Sequence, residues 1–446
     1  MPLVPTGPAA RRVLVAGVAG LLLTLPVLVH DSLNGRLALG WLAVAAGTAI
    51  SVQALRSSHT PGRRQTLAAA AICVAMAIST AVLLASTLAT APSAHDLRCR
   101  DDVAAATFGS ADELRAGHNP YASYDALAVQ HADGCATINA TVLRRGSFAG
   151  ATAMPSDQQV RAAVQAATAD PSRSEIERNL NYPGGSVLLG LVGPNTFPWL
   201  MAALLIAAIA TTVRRATTDR RAVTVALAAQ AALLALIPDG HTDAAVVAAL
   251  LIAWSSPTTL LGGLALGLAC ATKQTAWFLA PALLATAYTR GGRPALTRTA
   301  AAALAGFGAL NLPFIVMGPG AYVHGVMGPL VDGLFPLGAG LIGLVTSGVL
   351  PYAAAPAFTA LMLLTVAASV AAALRWDRRL PGVGVLLGSL ALFLGPRSLL
   401  EYIAGAGVLL VCAVATAPAR PRQQPQPDRP TAVLTGVSAT RPAEVA

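Results

Sequence analysis

The sequence predicts an all-α protein: a polytopic transmembrane helical bundle of about 11–12 spans, with a large extracytoplasmic loop containing short helices. Three observations predict it. Of 446 residues, 55% are hydrophobic and 11% charged, with a mean hydropathy of +0.63, which no single water-soluble core accommodates. Apolar stretches near span length recur along the chain, and basic residues cluster in every second connection between them.

The stretches at 13–29, 37–55, 66–90, 196–213, 221–238, 296–317, 353–374 and 399–417 are long enough to cross hydrocarbon as helices. Those at 241–256, 258–272, 275–289 and 381–396 are shorter and need shielding by neighbouring helices. The first stretch follows Arg11-Arg12 as a secretory signal would, but no small-residue cleavage site follows it, so it reads as an uncleaved span. Residues 318–352, broken by Gly318, Pro319, Gly320, Gly338, Gly340 and Pro351, read as a re-entrant or surface segment on the outside; the competing count, in which they cross, would put the cluster from Arg375 to Arg379 outside, against the positive-inside bias.

If spans alternate, Arg11 and Arg12, Arg56 to Arg64, Arg214 to Arg221, Arg290 to Arg298, and Arg375 to Arg379 share one side, which the positive-inside bias makes the cytoplasm. Both termini are then cytoplasmic in a multi-pass cell-membrane protein. The net charge of +10 is topological under this reading and implies no nucleic-acid partner. Four regions follow: three N-terminal transmembrane helices in 1–90, an extracytoplasmic loop at 91–183, a transmembrane bundle at 184–417, and a Pro-, Arg- and Gln-rich disordered cytoplasmic tail at 418–446.

Cysteines sort by compartment. Cys73, Cys270 and Cys412 lie in apolar runs, while Cys99 and Cys135 share the outside loop. In an oxidising compartment these two pair as a disulfide worth about 3 to 4 kcal/mol; two free thiols or a metal pair are the alternatives.

Polar residues that border apolar sequence fall almost entirely on the outside: Asp101, Asp102, His241, Asp243, Lys273, Gln274, Arg397 and Glu401. Ionisable groups at membrane depth are costly and so become functional candidates. Each also has a plainer reading. Asp243 can serve as a helix cap, Lys273 can snorkel to the interface, and Tyr182 can anchor in an interfacial belt. Asp239, His241 and Asp243 lie within five residues, a weak metal signal, and no metal ligands are assigned.

The ordered set resembles the polyprenol-phosphate-sugar-dependent membrane glycosyltransferases of superfamily C, and within it glycosyltransferase family 87. The resemblance covers roughly residues 95–405. It rests on Asp101-Asp102 at the start of the large loop, the turn Gly117-His118-Asn119-Pro120-Tyr121, and Tyr182-Pro183 at the loop's end. It continues through Gly240-His241-Thr242-Asp243, the hairpin Gly267-Leu268-Ala269-Cys270-Ala271-Thr272-Lys273-Gln274, Asn311-Leu312-Pro313-Phe314, and Pro396-Arg397-Ser398. The chain departs from the family in placing three spans before the loop and in reading Tyr-Pro-Gly for Tyr-Pro-Pro.

The resemblance implies transfer of a mannose-like or pentose sugar from a polyprenyl-phosphate donor to a cell-envelope glycan or lipid acceptor, with inversion. Asp101 or Asp102 would take the acceptor proton. Arg397 would bind the phosphate bidentately, with Lys273 as a point charge beside it. Gln274, Asp243 and His241 would line the substrate site, and Tyr121, Asn119 and Tyr182 would face sugar. The lipid-linked sugar is the only required small molecule; a divalent metal is compatible but not needed for a leaving phosphate. A polyprenyl-lipid flippase and a non-enzymatic envelope-assembly protein are the competing classes; the absence of an internal repeat argues against the first.

Overall fold

The computed structural model describes residues 93–170, 175–215, 241–331, 333–338, 340–378, 382–399, 401–402, 405–406 and 408–409. The expected spans within 1–90 and at 221–238, the tail at 418–446 and most of 399–417 lie outside these residues. The described part is mostly helical, with one two-stranded sheet.

Short helices build the polar block. They are α1 (Ala94–Arg98), α2 (Asp102–Arg115), α3 (Pro120–Ser123), α4 (Ala126–Ala132) and α5 (Asp157–Ala169). Local signals set their ends. Ser93 and Ser156 form capping boxes with Asp96 and Gln159, Asp101 and Asp125 cap α2 and α4, and Gly117 at φ 81° follows the last turn of α2.

A layer of longer apolar helices follows the entry helix α6 (Gly184–Gly190): α7 (Phe197–Arg215), α8 (Asp243–Ser255), α9 (Leu260–Thr272) and α10 (Thr275–Met317). After α11 (Pro319–Val331) and α12 (Gly343–Thr346), the layer is completed by α13 (Ala355–Trp376) and α14 (Val383–Leu394). Among the described residues two helices, Thr275–Met317 and Pro356–Trp376, are long and apolar enough to cross a membrane.

The 43-residue α10 is not one straight rod. At 1.5 Å per residue its ends would stand about 60 Å apart. Yet Ser186 Oγ donates to the Thr272 carbonyl at 2.7 Å, beside its start, while the Gly184 N–H donates to Asn311 Oδ1 at 2.7 Å, near its end. The chain therefore reverses inside it, and the non-helical residue is Gly292 (φ 68°, ψ −165°). Pro294 follows in the first turn of the returning arm, where its missing N–H costs nothing. Apolar runs expected at 275–289 and 296–317 are the two arms of this hairpin.

The helices consequently run up and down between two ends. At one end lie His241, Lys273, Asn311 and the polar block. At the other, Arg290 pairs with Asp377 at 2.9 Å, Arg378 donates to the Thr289 carbonyl, and the Thr299 hydroxyl donates to the Pro257 carbonyl. Glycines let α9 and the returning arm of α10 approach: a Cβ at Gly263 or Gly267 would meet the Thr299 or Ala303 carbonyl oxygen at 2.5 or 2.1 Å.

Residues 318–352 pack on the polar block. Tyr322 and Val326 of α11 join Tyr121, Tyr124 and Leu180, and Phe335, Ile342, Val345 and Tyr352 complete a core with Leu127, Val142, Val164 and Ile176. A bridge between Leu143 and Leu334 ties the two segments. Beyond it, β1 (Leu337–Gly338) pairs in parallel with β2 (Arg397–Ser398) and so fixes where Arg397 enters.

Candidate active site

Asp101 stands at the junction of the polar block and the helix layer. The disulfide between Cys99 and Cys135 closes the chain just before it, and Asn139 Nδ2 donates to the Cys99 carbonyl at 3.1 Å. The turn that follows makes Asp101 the cap of α2: its Oδ1 accepts the Ala104 N–H at 2.7 Å. Its Oδ2 accepts from His241 Nε2. One carboxylate is thus held by a helix N-terminus and by an imidazole 140 residues away in sequence.

His241 lies two residues ahead of α8, and its other ring nitrogen faces Asp243 Oδ2 at 3.8 Å and Glu401 Oε1 at 3.7 Å. Burial alone would lower its pKa. The Asp101 hydrogen bond and charge, with Glu401, outweigh both that and the repulsion from Lys273, and the imidazole is raised to about 9. For Asp101 burial acts upward, but the His241 hydrogen bond and charge, the Ala104 N–H and the Lys273 charge hold the carboxyl below the usual aspartate range. Asp101 is an anion and His241 a cation at neutral pH.

Lys273, the C-cap of α9, is 1% exposed. Its Nζ donates to Asp243 Oδ2 at 2.5 Å, and it sits 5.7 Å from the Tyr182 ring centroid and 5.1 Å from that of Tyr402. Burial opposes its charge. Asp243, Tyr402 and Glu401 together reverse that penalty and raise its pKa. Arg397 differs from every other cation here. It is partly buried, its charge acts on the Tyr182 and Tyr402 hydroxyls, and among the described residues its guanidinium has no ion-pair or hydrogen-bond partner. Such a group is available to an incoming anion.

The structure thus gathers Asp101, His241, Asp243, Lys273, Tyr182 and Arg397 from five separate parts of the chain. Asp102 is adjacent but differently engaged, its Oδ2 accepting from the Thr141 hydroxyl at 2.5 Å. Asn119, Tyr121 and Gln274 lie outside the cluster. Asn119 Oδ1 caps α3 at the Tyr121 N–H. The Tyr121 hydroxyl donates to the Tyr182 carbonyl at 2.7 Å, and its ring packs edge-on against Phe314 and Tyr322, leaving no face for a sugar. Gln274 Nε2 donates to the carbonyls of Asn181 and Val326 at 2.6 and 3.0 Å, fastening the loop's end to α11.

Glu401, a candidate from its position beside an apolar run, joins the site without a role the sequence assigned, and Tyr402 and Thr141 join it without having stood out in the sequence. Tyr402 sits just after Glu401 at the head of that run, a position that could have singled it out. Thr141 is a loop hydroxyl that no pattern marks. Among the described residues no group of three or more His, Cys, Asp or Glu side chains is arranged to hold a metal ion. No protein-family model, curated protein or solved structure matches the chain.

Proposed function

We propose that this chain is a multi-pass membrane glycosyltransferase that moves a sugar from a polyprenyl-phosphate donor to an envelope glycan or glycolipid on the extracytoplasmic face. The antiparallel helix layer supports the membrane part of the reading. So does its apolar surface, where Trp199, Ile206, Leu264, Leu304, Leu312, Val316, Leu363 and Leu364 are all exposed. The end with Arg290, Arg293, Arg375 and Arg378 fits the cytoplasm, and the opposite end bears the disulfide expected of an oxidising compartment.

The observation that carries the chemical reading is the convergence of an anionic Asp101 and of Arg397, without an ion-pair partner among the described residues, around Tyr182, Lys273 and Tyr402. In the proposed step Asp101 takes the proton of the acceptor hydroxyl as its oxygen forms a bond to the anomeric carbon. The bond from that carbon to the phosphate oxygen breaks, and its electron pair leaves on the phosphate, which Arg397 binds. Displacement in one step inverts the anomeric centre. Lys273 is already bound to Asp243 and two aromatic rings, so its part is to set the field and shape of the site while Arg397 meets the phosphate.

Transfer of labelled sugar from a panel of polyprenyl-phosphate sugars, measured in membranes with native lipid acceptors, tests this. Asp101→Asn is expected to lose at least about 100-fold in rate with expression intact. Asp102→Asn, which removes a charge but keeps an amide oxygen to accept from Thr141, retains most of it. Full transfer by Asp101→Asn removes the proposed base.

A further inference from the structure

The Asp101 carboxylate has two fixed donors and, with about two lone-pair sites per oxygen, retains capacity to accept a third proton. The Ala104 N–H fixes Oδ1 from α2, and His241 fixes Oδ2 from the approach to α8. Among the described residues His241 has no other close partner: Asp243 and Glu401 stand 3.8 and 3.7 Å from its second nitrogen, beyond hydrogen-bond reach. Asp243 is committed to Lys273 at 2.5 Å. Among the described residues the charged groups facing the imidazole are Asp101, Asp243, Glu401 and Lys273, and of these only Asp101 is bonded to it.

We infer that His241 is the positioning residue of the transfer reaction: it aims the Asp101 carboxylate at the acceptor hydroxyl and keeps it deprotonated, without itself touching substrate. The inference rests on the reading of Asp101 as the base. Two features give it force. The ring is only 10% exposed on its side chain, so water does not replace it as a donor. Asp101 is itself partly buried, and without the imidazolium only the Ala104 N–H and the Lys273 charge are left to oppose that burial, so the carboxyl moves upward. A displaced or protonated base takes no proton, so loss of His241 strikes turnover more than affinity.

Three variants in detergent separate this role from simple packing. The carboxylic-acid C=O band in infrared pH titration, assigned by its loss in Asp101→Asn, reports the protonation of Asp101 without any substrate. In the unaltered protein it emerges only below pH 3.8, the ordinary aspartate value. In His241→Gln, which keeps a donor but not the charge, it emerges at least about one pH unit higher. With labelled polyprenyl-phosphate mannose and a native lipid extract, His241→Phe loses about 100-fold in kcat with KM within about twofold. His241→Gln recovers at least about tenfold of that loss, while its kcat/KM falls off on the acid side in step with the infrared band.

A band that emerges at the same pH in His241→Gln as in the parent overturns the inference, whatever the activity. So does a raised KM with unchanged kcat, which would make His241 a substrate ligand. Should His241→Phe fail to fold, the Gln variant and its band decide alone. Full activity in Asp101→Asn overturns the base assignment and this inference together. An inactive Asp101→Asn alongside an unshifted His241→Gln overturns the inference only.

Discussion

Lys273 shows how much of the site is held by charges that do no chemistry. Its ammonium and the Asp243 carboxylate are both buried, at 1% and 4% exposure, and each makes the other tolerable. Lys273→Met strands Asp243 and is expected to cost about 3–5 kcal/mol. Lys273→Met with Asp243→Leu removes both charges and recovers most of that loss; a double-mutant cycle on denaturant midpoints in detergent measures the coupling. The Asp101–His241 pair gives a pH signature of definite sign. The His241 pKa is raised from 6.5 to about 9, so its stabilisation is full below pH 6.5, fades as pH rises and is gone above about 9. The Asp101 pKa is lowered from 3.8, so its share is present above 3.8 and is lost only as pH falls through its lower folded value. Thermal unfolding should therefore be most resistant between about pH 4 and 6.5 and decline toward 9, and His241→Phe should flatten that alkaline decline. At this scale the sequence identified the members of the cluster but not its bonds. Asp101, His241, Asp243 and Lys273 were legible as polar residues at the ends of apolar runs. That Asp101 would meet the imidazole, and that Tyr121 and Gln274 would be used up in packing, depends on side-chain contacts between elements distant in the chain.

Among elements, the pairing of α9 with the returning arm of α10 has the least room to spare. Gly→Ala within a helix ordinarily stabilises by about 0.5–1 kcal/mol, because glycine loses more backbone freedom on folding. At Gly267 the added Cβ would sit 2.1 Å from the Ala303 carbonyl oxygen, so the sign should reverse. Gly267→Ala is expected to destabilise by about 1–3 kcal/mol as the helices are pushed apart, whereas Gly308→Ala, which meets nothing within 4 Å, should be neutral or stabilising. Parallel denaturant titrations of the two variants check the contrast. The apolar runs set the positions of these helices well because hydropathy fixes length and side. They could not show the close approach, which glycine spacing permits but does not require. Residues 318–352 illustrate the converse. Their glycines and prolines argued against a span, but nothing local revealed that Phe335, Ile342 and Val345 would finish the core of the polar block.

Among the described residues, Arg290 and Arg378 stand at the end of the helix layer opposite the candidate chemistry, and the proposed membrane orientation turns on that separation. Charge periodicity in the sequence proposes the same layout. Arg290 and Arg378 belong to connections predicted on the same side, and they share the end occupied by Asp377, away from Asp101 and Lys273. Among the described residues, length and composition mark Thr275–Met317 and Pro356–Trp376 as long enough to cross; the first of these is a hairpin, and the other apolar helices are short. The number of crossings is therefore a question for labelling. Met154 and Asp157 are exposed on the polar block, and Arg293 and Arg375 are exposed at the other end, so each accepts a cysteine without disturbing packing. In a background with Cys73, Cys270 and Cys412 replaced and the disulfide kept, a membrane-impermeant maleimide on intact cells should label Met154→Cys and Asp157→Cys at once. Arg293→Cys and Arg375→Cys should react only after permeabilisation, since the positive-inside bias holds their neighbourhood in the cytoplasm. Labelling of all four from outside would place both ends of the layer in one compartment. A donor that arrives laterally through lipid while the acceptor arrives from water could then not be reconciled with the site, because the helices around Lys273 and Arg397 would not be embedded in a bilayer.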